Sequence, residues 1–417
     1  MRGDDGAATT SAELRAHNLA RLLRAVHDGG GRLTRAELTR QLSLARGTAT
    51  VLVRELGRRR LITEHQAGEA APRVRGRPTG VPSAHAEGPV ALAVDLRDDS
   101  FTVAAFELTG TCTVLDRRER DPVRDEPGAG LLAELAATLR SRCRQFGRRV
   151  AGVGIAVPSP VSGGTMVQPT LEEWRGLDVT GVLRPPGGAG PARPVLAGND
   201  ATLAGLAEAR RGALRGVPVA LHLHVATGIG GVLLADGRPV TGAHGSAGEF
   251  GHMPLAGGDR PCRCGAAGCW ELEAGARGLL RAAGRPERGD RIEAAERVIA
   301  AAGTDPGCGR ALARAATALG RGIGALVNAA DPQAVGLSGL AASMYRAAPA
   351  AVAAGYTAAL MRFRRPDPPA LLPSALGDLG ALTGASELVF DAFLTPAGLR
   401  TWPAPPGKPR DVPAAGW

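Results

Sequence analysis

TGIGGVLLADGRPVTGAHGSAGEFGHM, residues 227–253, and CRCGAAGCWE, residues 262–271, are the stretches that decide how this 417-residue chain is read. The apolar run VALHLHV at 219–225 enters the glycine turn Thr227-Gly228-Ile229-Gly230-Gly231 and leaves it along VLLADGRPV, which predicts a hairpin. Further on, Cys262, Cys264 and Cys269 follow His252, which stands ten residues before the first of them. Three thiolates and one imidazole make a closed tetrahedral set, the composition of structural zinc, and in a cytosolic protein a disulfide is the weaker reading. Glu249 and His252 share the segment EFGH. Zinc on one ring nitrogen of His252 would fix its tautomer and turn the other nitrogen toward a ligand. Cys112, Cys143 and Cys308 stand alone and read as ordinary buried residues.

Working outward from this stretch, the chain from Val90 reads as strands: VALAVDL, SFTVAAFEL and TCTVLDRR, then an Ala/Leu-rich helix near 129–146 and the strand VAGVGIAV. VLAGND then runs into the helix ATLAGLAEARRG, the hairpin follows, and a later helix reaches Asn328 before AVGLSGL. Strands, helix and strand occur twice, so two related α/β lobes with a cleft between them are expected.

With those residues in view, GNDA at 198–201 and the two opening stretches resemble the ROK family of sugar kinases and transcriptional repressors. LRAHN at 14–18 and GRP at 76–78 are also similar to the family's regulators, so the resemblance spans nearly the whole chain. It implies an actin-like, ribonuclease-H-type pair of lobes. It also assigns zinc to His252, Cys262, Cys264 and Cys269, and sugar hydroxyls to Asn199, Asp200, Glu249, His252 and Glu271. Carboxylates and imidazoles suit that task, because each sugar hydroxyl both donates and accepts.

In the family's kinases the aspartate matching Asp200 is the general base, but the phosphate side departs from the kinase pattern. Where kinases carry Asp-x-Gly-Gly-Thr, this chain has Asp95-Leu96-Arg97-Asp98-Asp99-Ser100. Glycines there let backbone amides close on phosphates, whereas an arginine side chain and two carboxylates obstruct and repel a triphosphate. Leu337-Ser338-Gly339-Leu340 also lacks the paired glycine that backs the adenosine, while Thr227-Gly228-Ile229-Gly230-Gly231 keeps the second phosphate segment in type. Phosphoryl transfer needs both clamps, so the resemblance without the first clamp implies no kinase activity, with Asp200 a vestigial base. Val157-Pro158-Ser159 and Pro169-Thr170-Leu171 depart from the kinases' sugar side, leaving the ligand's identity open.

The first eighty residues are a different module. Leu19, Leu22, Leu23 and Val26 line one face of a helix that ends at Gly29-Gly30-Gly31, and Thr34-Arg35-Ala36-Glu37 is a capping box opening a second, short helix. Ala49, Leu52, Val53 and Leu56 bury a third, which turns Arg46, Gly47, Thr48, Thr50 and Arg54 outward. Leu61-Ile62-Thr63 begins a wing, with a basic return over Gly68 to Pro82 carrying Arg73, Arg75 and Arg77. Helix, helix, helix and wing make a winged helix-turn-helix, whose third helix would read a major groove while Arg75 and Arg77 reach phosphates or the minor groove.

Residues 1–85 hold 15 arginines against 8 acids, so +7 of the formal +10 charge sits there, as expected of a module that meets phosphates. Three segments are expected: an all-α winged helix-turn-helix at 11–82, an α/β sugar-kinase-like domain at 88–400 with its zinc motif at 252–271, and a flexible tail at 401–417. No apolar run is long enough to span a bilayer and no signal peptide opens the chain, so a soluble cytoplasmic protein with no membrane partner is expected. The function expected is a homodimeric or homotetrameric repressor of carbohydrate-use genes, bound to a palindromic double-stranded operator and answering to a sugar-type effector. The alternatives are an active sugar kinase with an appended module, and a scaffold that ignores sugar.

Overall fold

The computed structural model describes residues 10–66, 80–119, 129–169, 172–185, 193–287 and 290–403. Thr10 and Thr34 each accept a hydrogen bond from the backbone N–H three residues on, while Glu13 and Glu37 bond the caps' own N–H groups. Two capping boxes therefore start α1 (Ser11–Asp28) and α2 (Arg35–Gln41), and only the second is expected from the sequence. Helix α3 (Arg46–Arg58) begins after Ala45, which supplies no side-chain cap. Strand β1 (Ile62–Gln66) pairs antiparallel with β2 (Gly80–Ala84), Ile62 lying opposite Ala84. The ribbon thus passes the expected boundary at Pro82 by two residues. Arg73, Arg75 and Arg77 lie outside the described residues.

The first lobe follows in order: β3 (Val90–Leu96), β4 (Ser100–Glu107), β5 (Cys112–Glu119), α4 (Ala129–Phe146), β6 (Val150–Val157), the small hairpin β7 (Val161–Ser162) and β8 (Thr165–Met166), α5 (Val179–Val182), β9 (Val195–Asn199) and α6 (Asp200–Arg211). Its sheet runs β5-β4-β3-β6-β9, antiparallel among the first three strands and parallel from β3 to β9.

The second lobe comprises β10 (Val219–Val225), β11 (Ile229–Ala235), β12 (Arg238–Pro239), α7 (Glu271–Ala274), α8 (Ala276–Ala282), α9 (Arg291–Ala301), α10 (Pro306–Ala330), β13 (Ala334–Gly339), α11 (Leu340–Ala347), α12 (Pro349–Ala359), β14 (Ala370–Pro373), α13 (Gly380–Phe393) and α14 (Pro396–Thr401). Its sheet order, β12-β11-β10-β13-β14, repeats that of the first lobe. The duplication expected from the strand pattern is therefore present in the topology.

Strands β3 and β6 are buried at every position because both faces of their sheet are covered. Leu131, Leu135 and Leu139 of α4 close one face, and Leu382, Ala385 and Val389 of α13 close the other. Helix α13 thus crosses back from the second lobe to the first, where it also packs along α6.

One hydrophobic core joins Leu19, Leu22, Leu23 and Val26 of α1 and Leu52 and Leu56 of α3 to Phe106, Leu382, Phe390 and Phe393. The N-terminal head is therefore part of the first lobe's packing. The segment expected to be a free tail from Thr401 is held at its start. Thr401 closes α14, and the Trp402 indole donates to the Arg59 carbonyl at 2.8 Å and meets Phe393 edge-on. Burial of a large aromatic with its N–H satisfied is what fixes it. Residues 404–417 lie outside the described residues. Among the described residues, no helix is long and apolar enough to cross a membrane.

Candidate ligand cleft and nucleic-acid face

Asn199 ends β9 and caps α6, accepting from the Thr202 N–H at 3.0 Å, while its amide donates to Asp200 Oδ1 at 3.0 Å. Asp200 opens α6, and its Oδ1 also accepts from the Ala201 N–H at 2.7 Å. Removal from water, with the Asp95 carboxylate nearby, pushes Asp200 up to about 7, against the pull of Ala201 N–H, Arg97 and Asn199. A carboxyl so placed exchanges its proton near neutrality.

The remaining predicted residues come from the loop between β12 and α7. Gly248, at φ +108° with any Cβ 2.0 Å from the Gly231 carbonyl oxygen, presses that loop against β11 in a way only glycine permits. Glu249 follows it directly, and burial raises its carboxyl above the ordinary range, opposed by His252 and helped by Asp200 and Glu271. His252 Nε2 lies 3.7 Å from Glu249 and Nδ1 3.9 Å from Glu271. Glu271 starts α7 and packs against Gly228 of the glycine turn, where a Cβ would stand 2.4 Å from its Oε2. The structure therefore brings Asn199, Asp200, Glu249, His252 and Glu271 into one chain of neighbours.

Beside them, the Sγ atoms of Cys262, Cys264 and Cys269 and a ring nitrogen of His252 all lie within 4.8 Å of one another. Cys264 and Cys269 sulfurs are 3.6 Å apart, and Cys262 Sγ is 3.7 Å from His252 Nδ1. Zinc–sulfur bonds of about 2.3 Å give tetrahedral edges of about 3.8 Å, so this donor set fits one zinc ion. Nδ1 faces the cysteines and Nε2 faces Glu249, the division of labour expected for that ring.

Near Asp200, Arg97 folds back onto Asp95, its Nε and Nη2 lying 3.1 and 3.0 Å from Oδ2. The Arg97 N–H donates to the Ser100 carbonyl at 2.8 Å, closing a tight turn after β3. Asp378 and Asp200 also face this guanidinium and, with Asp95, raise its pKa. His224, hydrogen-bonded to Ser338 at 2.9 Å, completes this group, held neutral by burial with its pKa pushed down to about 4. Sequence reading missed His224 and Asp378, because a histidine in an apolar strand and an aspartate in a loop carry no local signature.

The far end of α6 meets the head. His27 of α1 is fully buried; its Nδ1 donates to the Leu108 carbonyl at 2.5 Å, and its Nε2 lies 3.0 Å from Glu387 of α13. Arg211 donates to the His27 carbonyl at 2.8 Å and to Glu387 at 2.8 Å, while Arg210 bridges Glu387 and Asp391. Arg24 of α1 also pairs with Asp391, at 2.8 Å. Although burial alone would raise Glu387, His27, Arg211 and Arg210 hold it well below the carboxylate range. A groove of ≈ 1340 Å³ follows α6 from Asn199 to Arg24 and Asp391. Of the five predicted ligand residues it touches Asn199 alone.

On the head, Arg46, Gly47, Thr48 and Arg54 are exposed as expected. Thr50 is half-buried, and its hydroxyl donates back to the Arg46 carbonyl at 3.0 Å. Arg58, unpredicted, extends the same face. Among the described residues, the guanidiniums of Arg46, Arg54 and Arg58 have no hydrogen-bond or ion-pair partner, which leaves three positive charges for phosphates.

Comparison with known proteins places this arrangement. The ROK family profile matches residues 91–392. A xylose repressor of Bacillus subtilis (strain 168) is 24% identical over 365 residues, covering 87% of this chain and 92% of the repressor. A kanosamine kinase of Amycolatopsis mediterranei (strain S699) is 32% identical over 265 residues, covering 62% of this chain and 82% of the kinase. Among solved structures, a ROK family transcriptional regulator described as a homologue of the E. coli MLC protein aligns with a TM-score of 0.71 at 23% identity, over 93% of this chain and 99% of that one. With its duplicated mixed sheets in an actin-like kinase fold and the family profile matched across both lobes, the chain belongs to the ROK family.

Proposed function

We propose that this chain is a DNA-binding transcriptional repressor of carbohydrate-use genes, governed by a sugar-type effector. Helices α1 to α3 and the β1–β2 ribbon form the winged helix-turn-helix. Asn199, Asp200, Glu249, His252 and Glu271 hold the effector. Zinc on His252, Cys262, Cys264 and Cys269 orients the imidazole and supplies no further chemistry, because protein fills all four positions. A homodimer or homotetramer presents paired heads to a palindromic operator. The xylose repressor's coverage of most of this chain supports the reading.

The observation that carries it is the continuous core between a head with unpartnered arginines and the lobe that presents Asn199 and Asp200. An effector that draws the lobes together moves α6, and α6 is tied to α1 through Arg211 and His27. Coupling requires different affinities in the two states, and this contact supplies a route for them.

A second reading, sugar phosphorylation, draws on Asp200 at about 7 and on the kanosamine kinase likeness. Against it stand Arg97 locked to Asp95 and a kinase likeness that covers only 62% of the chain. The test is recovery of genomic fragments by the purified protein, eluted with a panel of sugars beside an ATP-consumption assay. A palindrome released by one sugar, without turnover, supports repression; sugar-dependent turnover abolished by Asp200→Asn overturns it.

A further inference from the structure

Helix α3 carries two residues that its own fold does not call for. Val51 is 46% exposed, whereas the other apolar side chains of the helix, Leu52, Val53 and Leu56, are all at 4% or below. A β-branched residue in an exposed helical position loses rotamer freedom and gains no packing. One turn earlier, a Cβ added at Gly47 would meet nothing within 4 Å, so no neighbour in the chain demands glycine there. Gly47 stands in the first turn of α3, and glycine is among the least favourable helix formers. Gly47, Val51, Arg54 and Arg58 fall at i, i+4, i+7 and i+11, one stripe along the helix, and both arginines lack partners among the described residues.

Charge selects a polyanion as the occupant of this stripe, and an exposed valine in its middle selects an apolar feature on that polyanion. In the major groove the apolar feature is the thymine 5-methyl group. We propose that Val51 reads a thymine methyl while Gly47 lets the backbone of α3 close on the adjacent base step, an inference that rests on the DNA-binding function above. Thr50, whose hydroxyl is already bonded to the Arg46 carbonyl, is then not the principal reader of this face.

The test uses the full-length, zinc-loaded protein and an operator selected from a random duplex library. Each thymine is replaced in turn by deoxyuridine, which lacks only the 5-methyl. Burial of one methyl corresponds to about a fourfold change in affinity, so one uracil position per half-site should weaken binding about fourfold. Val51→Ala should bind the thymine and uracil duplexes equally, with a thermal midpoint no lower than that of the wild type because the side chain is exposed and alanine is the better helix former. Gly47→Ala should raise the thermal midpoint and yet weaken operator binding. A wild-type protein indifferent to every uracil, a Val51→Ala variant that keeps the penalty, or a Gly47→Ala variant with full affinity overturns the inference and leaves DNA binding standing. Failure to select any sequence overturns the DNA-binding function, and this inference with it.

Discussion

The two ends of α6, about 18 Å apart for a helix of this length, are built on opposite terms. At the N-terminal end Asn199 and Asp200 bond mainly to each other and to local backbone, and burial beside Asp95 leaves the Asp200 proton loosely decided. At the C-terminal end Glu208 accepts from the Ala213 and Leu376 N–H groups and from Ser374, and Arg210 and Arg211 are fastened to Glu387, Asp391 and α1. One end has hydrogen-bonding capacity for a ligand to complete; the other is complete already. The helix is thus free to answer at the cleft but not free to slip at the head, which is what a lever between two sites requires.

The most disruptive way to break this contrast is to open the locked end. Glu387→Ala leaves Arg211 and His27 without their buried carboxylate, and removing one partner of a buried ion pair costs about 3–5 kcal/mol. Denaturant unfolding should show that loss, together with a head whose DNA affinity no longer follows the effector; an unchanged midpoint would mean the network contributes nothing.

At the open end, Cys264→Ser should abolish stoichiometric zinc and release His252 from its orientation. Loss of a supporting contact of that kind costs about 10–100-fold, here in effector affinity measured by calorimetry beside metal analysis. Normal zinc content would remove Cys264 from the ligand set, and lost zinc with a normal effector response would remove zinc from the account.

A smaller effect tests the Asp200 proton. Its folded pKa of about 7 lies above the ordinary 3.8, so the folded state holds the proton more tightly than the unfolded chain. Between those values the folded protein binds more protons, and stability therefore falls as pH rises from about 4 to about 7. Asp200→Asn, which cannot ionise, should equal wild type in stability near pH 4 and become the more stable of the two as pH rises toward 8. A constant difference across that range would place the proton elsewhere.

The smallest expected effect belongs to Arg97→Ala. Its guanidinium is one of the groups pulling Asp200 down, so removing it should move the fall in stability to higher pH. A shift to lower pH, read by thermal unfolding across the pH series, would contradict the placement of Arg97 toward Asp200.

Much of this molecule was legible in short stretches. The Thr34 capping box, the stripe Ala49, Leu52, Val53 and Leu56, the strand runs of both lobes and the His252 to Cys269 cluster appear where the sequence predicts them. Each depends on interactions within a few residues, or on a period that the side chains themselves impose. The proposed sugar-contact residues were reached through family resemblance, and the structure adds that they follow one another as neighbours.

What the sequence by itself determined, then, is the identity of the elements and of the local motifs, because backbone hydrogen bonding and metal-ligand spacing are short-range. Only the tertiary structure decided that the head shares a core with the first lobe. His27 and Glu387 meet across 360 residues, and Trp402 caps Arg59 across 343. It also decided that Arg97 turns inward to Asp95 and that Thr50 is tied back while Val51 faces out. Those outcomes depend on where α13 and α14 return to pack, and no periodicity encodes contacts made at such separations.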